Sequence, residues 1–109
     1  MSAGDARKEA ATMFAAIRKY KLQPGTHQQF DRVANEDFMP ILSTLPGFVA
    51  YYGLDAADDE WASLSIFESR KAAEESNQRA ADFVREHLRP LVAAGPEILM
   101  GNLVVSKRA

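Results

Sequence analysis

Residues 47 to 69, GFVAYYGLDAADDEWASLSIFES, constrain the fold of this 109-residue chain more than any other stretch. Two runs rich in aromatic and β-branched residues, 48 to 54 and 61 to 68, flank the acidic segment DAADDE, which is too polar to be buried. They read as an antiparallel hairpin. Apolar side chains stand on both of its faces: Phe48, Ala50, Tyr52 and Leu54 alternate with Val49 and Tyr51. An antiparallel sheet with one wet face alternates apolar with polar instead, so both faces of this hairpin are expected to be covered. Ser69 follows as an N-cap, which sends the second strand straight into a helix.

The flanking segments complete a pattern. TMFAAIRKYKL (12 to 22) alternates as a strand does, with Phe14, Ala16, Arg18 and Tyr20 on one face and Met13, Ala15, Ile17 and Lys19 on the other. QPG stops it. Thr26 and Gln29 have the spacing of a capping box and open a helix whose stripe at spacings of three and four runs through Phe30, Val33, Asp37, Ile41 and Leu45, broadened by Ala34 and Phe38. Pro40 predicts a kink or break over 38 to 40. The second helix, RKAAEESNQRAADFVREHLRPL, carries a stripe of Ala73, Asn77, Ala80, Val84, Leu88 and Leu91, with Pro90 at its end. AAGPE then reads as a loop and ILMGNLVVS as a last strand. The order β-α-β-β-α-β predicts a ferredoxin-like α+β fold, a four-stranded antiparallel sheet with two helices on one face. Residues 1 to 10 read as a flexible leader before a single domain over 11 to 109.

Composition removes several function classes. Fifteen acidic residues against thirteen basic ones give a net charge of −2, without the basic excess that phosphate neutralisation demands, so no nucleic-acid partner is expected. The absence of cysteine excludes thiol nucleophiles and thiolate metal sites. The two histidines, His27 and His87, lack ligand spacing, so no metal is expected. No window approaches the roughly 18 apolar residues of a membrane span, and the N-terminus lacks a signal-peptide core, so a cytoplasmic protein without a membrane partner is expected. Neither a Walker loop nor G-x-S-x-G nor G-x-G-x-x-G occurs.

IRKYKLQPGT, LPGFVAYYGLDA and LSIFESRKAAEESNQRAADFV together resemble the antibiotic biosynthesis monooxygenase family of the dimeric α+β barrel group, over residues 12 to 105. The resemblance implies a homodimer through the sheet, and a cavity between sheet and helices in each subunit. It also implies oxidation of polyketide-like aromatics or quinols without metal or flavin, hence no cofactor, or degradation of haem. Haem-degrading relatives carry an asparagine on the first strand, then a tryptophan and a histidine ten residues apart on the second helix. Here Arg18 stands on that strand and Asn77 lies ten residues before His87, so haem degradation is disfavoured.

The candidate catalytic residues are Arg18, Tyr20, Asn77 and His87. An arginine offers a fixed cation and a planar fork of donors to a phenolate, enolate or carboxylate; the alternative is a rim arginine paired with Asp37 or another carboxylate. Asn77 interrupts an apolar stripe, and reads either as a ligand-orienting amide or as a structural one tied to a strand end. Tyr20 or His87 would handle a proton, with a solvent-facing His87 as the alternative. Phe14, Tyr52, Phe67 and Val84 are expected to line the cavity. The function expected is a cofactor-independent monooxygenase acting on a small aromatic or quinone-like molecule, with a non-catalytic ligand-binding dimer as the alternative.

Overall fold

The computed structural model describes residues 13–107. The leader expected over residues 1 to 10 lies outside them. Strands β1 (Phe14–Leu22), β2 (Phe48–Asp55), β3 (Glu60–Phe67) and β4 (Val92–Asn102) form one antiparallel sheet in the order β2-β3-β1-β4. Helix α1, between β1 and β2, is α-helical over His27–Val33, π-helical over Ala34–Phe38 and α-helical again over Met39–Ser43. Helix α2, between β3 and β4, is α-helical over Arg70–Phe83, π-helical over Val84–Leu88 and closes with a 3-10 turn, Arg89–Leu91. Both helices cover the same face, giving the expected ferredoxin-like arrangement.

The alternation of β1 has its physical consequence here: Phe14, Ala16, Arg18, Tyr20 and Leu22 are buried under the helices. On β3 the same face carries Trp61, Ser63, Ser65 and Phe67. In β2 a bulge between Phe48 and Ala50 shifts the phase. Phe48 therefore packs against the core with Tyr51, whereas Ala50, Tyr52 and Leu54 share the opposite face. Gly53 leaves room for Trp61, whose ring would lie 2.9 Å from a Cβ there.

Three local expectations are corrected. The Thr26 hydroxyl does not cap α1; it donates to the Gln23 carbonyl at 2.7 Å, part of the turn that ends β1. Pro40 does not break the helix. In a regular α-helix its ring would meet the Glu36 carbonyl. The π-helical turn just before it widens the backbone, and the Met39 N–H bonds to Ala34, five residues back. The same winding keeps residues four apart in line, so the buried stripe is Phe30, Ala34, Phe38 and Leu42, while Ile41 is exposed. Finally, AAGPE belongs to β4 and is not a loop. β4 is an edge strand, which tolerates the missing N–H of Pro96, and Gly95 takes a φ of +104° beside a register shift against β1. No described helix is long and apolar enough to cross a membrane.

Candidate ligand site

Between the sheet and the π-helical parts of both helices lies an inner cavity of about 30 Å³. That is room for one or two molecules the size of water. Its walls are apolar at the helices, where Phe38 and Phe83 pack at 5.1 Å between centroids, and polar at the sheet, where the Ser63 and Ser65 side chains point inward. A ring-sized space lies outside it: an open groove of about 600 Å³ between α2 and β4. Arg18, Asn77 and Val84 line both, and so stand between cavity and groove.

Arg18 is 4% exposed. Its Nε donates to Tyr20 Oη at 3.0 Å and one Nη donates to Asn77 Oδ1 at 3.2 Å. Both acceptors are neutral. No carboxylate forms an ion pair with it among the described residues, and Asp37 is exposed on α1. The rim arginine paired with Asp37 is therefore not what the fold builds. Asn77 is half-buried; its amide nitrogen lies 2.7 Å from Met100 Sδ on β4, which turns its oxygen toward Arg18. Among the described residues its side chain is bonded to Arg18 and Met100 and to no strand-end backbone group.

Burial raises the Tyr20 phenol above its usual value, partly opposed by the charge and hydrogen bond of Arg18. Burial pushes Tyr51 up to about 12, against a hydrogen bond with Ser63. Both phenols keep their protons near neutrality, and the Tyr20 hydroxyl accepts from Arg18 Nε. His87 does not reach the site: more than half its side chain is exposed, and its ring packs against Phe83 at 4.7 Å.

Of the residues expected at the site, the structure brings together Arg18, Tyr20, Asn77 and Val84. Phe14 and Phe67 are buried in the core without lining the cavity. Tyr52 is 61% exposed on the opposite face of the sheet, because the bulge in β2 assigns the inward position to Tyr51. Tyr51, Ser63, Ser65, Ser76 and Phe83 were missed. Strand alternation pairs Ser63 and Ser65 with Trp61 and Phe67 on one face, a signal that was present in the sequence. Trp61 itself lines the cavity and donates from Nε1 to Asp31 Oδ1 at 2.8 Å. His27 lies against the β2–β3 turn with Nε2 3.2 Å from Asp59 Oδ1.

The family model described as "Antibiotic biosynthesis monooxygenase" matches residues 13–88. This span holds β1, both helices up to the end of the π-helical turn and the central hairpin, and the chain belongs to that family. No functionally curated protein matches it. Among solved structures, a protein of unknown function from Nitrosomonas europaea is 18% identical with a TM-score of 0.74, covering 92% of this chain and 97% of that one. A monooxygenase from Streptomyces coelicolor, ActVA-Orf6, in complex with Nanaomycin D, is 17% identical with a TM-score of 0.73, covering 94% and 96%. A protein from Mycobacterium tuberculosis is 15% identical with a TM-score of 0.70, covering 88% and 99%. At these identities the likeness is one of fold.

Proposed function

We propose that the chain is a cofactor-independent monooxygenase acting on a small aromatic, polyketide-like or quinol substrate, and that it works as a cytoplasmic homodimer. The observation that carries this reading is Arg18, a buried cation whose side-chain partners are neutral. Burying a charge without a counter-charge costs several kcal/mol, and an anionic ligand would offset that cost. A ring in the groove would direct an ionised oxygen at Arg18, with Tyr20 holding the guanidinium in place.

The chemistry follows from the anion. A cation beside a phenol or enol favours its ionised form, so Arg18 lowers the cost of losing the proton to water in the groove. The delocalised anion can pass an electron to dioxygen and join it at carbon as a hydroperoxide. Loss of water from a former methylene then leaves a carbonyl. One oxygen atom enters the product, the other leaves as water, and the substrate supplies all the electrons.

A second reading, a dimeric module that binds such a ligand without turning it over, is favoured by one observation: among the described residues no carboxylate or imidazole lines the inner cavity. Oxygen-uptake measurements against hydroquinones and anthrone-type compounds separate the two. Uptake that is stoichiometric with substrate loss and abolished in Arg18→Met is expected. Tight binding of the same compounds without uptake would leave the module.

The dimer has its own support. On the face turned away from the helices, register pairing aligns Tyr52 with Leu64, Leu64 with Ile17 and Ile17 with Leu99, one apolar row across all four strands. Ile17 is 40% and Leu99 69% exposed in the single chain. A second copy would cover that row and leave the groove on the helix side open.

A further inference from the structure

We infer that the groove between α2 and β4 carries a second anion station, formed by Arg89 with Arg85, and that the substrate is a hydroxylated aromatic bearing a carboxylate at its far end. This rests on the reading of Arg18 as the partner of the ionised hydroxyl. The groove is walled by three arginines, Arg18 at its buried side and Arg85 and Arg89 at its exposed end, against one acid, Glu74. Glu74 is already engaged, accepting from Arg70 Nε at 3.1 Å. Arg85 donates one nitrogen to Asp82 at 2.8 Å, and Arg89 has no ion-pair partner among the described residues. Between the two stations the walls are Ala81, Val84, Val92 and Ile98, which suit the faces of rings.

The spacing sets the size of the molecule. Asn77, which contacts Arg18, lies eight residues before Arg85 and twelve before Arg89, a backbone separation of roughly 12 to 18 Å at an α-helical rise. Two linked or fused rings with a terminal acid suit such a separation better than one ring. The chain's net charge of −2 offers an anion no general attraction, so any preference for the acid must come from these arginines locally. A planar guanidinium fork also matches a carboxylate in shape.

Three matched probes test this: a hydroxybiphenyl, the hydroxybiphenylcarboxylic acid with its groups at opposite ends, and the methyl ester of that acid. Their dissociation constants are measured by calorimetry on wild type, Arg89→Gln and the Arg85→Gln/Arg89→Gln double variant, with circular dichroism as the folding control. The quantity read is the acid-to-ester affinity ratio within each protein. In wild type at low salt it should be about five- to tenfold in favour of the acid, and it should shrink as salt is raised. In Arg89→Gln it should fall most of the way to one, and in the double variant to one. A wild-type ratio of one, or a ratio that survives both substitutions, overturns the second station. If the hydroxybiphenyl binds and Arg18→Met abolishes that binding while the acid gains nothing, the inner reading stands and this one falls. If none of the three binds, both fall.

Discussion

Arg18, Asn77 and the two buried tyrosines set the chemistry available at the scale of single residues. Asn77 Oδ1 occupies part of the guanidinium with a neutral acceptor, so Asn77→Asp would place a permanent carboxylate where the ligand's charge is meant to be neutralised. The expected result is a melting temperature that holds or rises, and a phenolate affinity lowered by about tenfold or more, since a charge-assisted hydrogen bond contributes roughly 1.5–3 kcal/mol. Unchanged phenolate binding in calorimetry would detach Asn77 from the site. Tyr51 gives a pH prediction. Its pKa rises from 10.0 to about 12 on folding, so the folded state retains a proton that the unfolded state has lost between those values. Stability is therefore whole below pH 10 and falls as pH climbs through that window, by at most about 3 kcal/mol from this group. Tyr51→Phe should flatten the decline in urea melts taken between pH 10 and 12, and an identical slope in the variant would remove Tyr51 as its source.

At the scale of elements, the succession of strands and helices along the chain and the two faces of β1 were legible because alternation with period two survives in the sequence wherever one face is buried. Alternation put Arg18 and Tyr20 on one face, and the packing of the helices makes that face the inward one. The bulge in β2 was not legible: nothing in FVAYYG marks an extra residue, and one slip exchanges the faces of every side chain beyond it, which is why Tyr52 stood in for Tyr51. The π-helical turns were hidden in the same way, because a stripe at intervals of three and four does not distinguish α from a local i→i+5 turn. In β4, glycine and proline marked a turn by composition, whereas the edge position and the strand pairing with β1 decide the outcome. Gly95 tests that segment. At φ +104°, an added Cβ would sit 2.8 Å from the Lys19 carbonyl oxygen, so Gly95→Ala should cost about 2 kcal/mol or more in denaturant unfolding. A loss below about 0.5 kcal/mol would mean that β4 does not hold this path against β1.

For the whole molecule, the open sheet face and the ligand groove lie on opposite sides, so association and binding can be separated by mutation. Leu99→Glu puts a charge into the apolar row at its β4 end without touching the groove, and a buried unpaired carboxylate disfavours an interface strongly. Wild type should sediment as a dimer at micromolar concentration and Leu99→Glu as a monomer; a monomeric wild type would refute the sheet-to-sheet assembly. The claim on which the functional reading depends is that Arg18 awaits an anion. Methionine keeps much of the apolar bulk of arginine and deletes the charge, so Arg18→Met should weaken a phenol and its methyl ether equally if packing alone is at stake. Calorimetric titration of wild type and Arg18→Met with that matched pair measures the difference directly. A loss of about tenfold to a hundredfold is expected for the phenol and little for the ether, with the gap widening as pH rises through the phenol's own pKa. Equal losses for both ligands, or no loss for either, would contradict it.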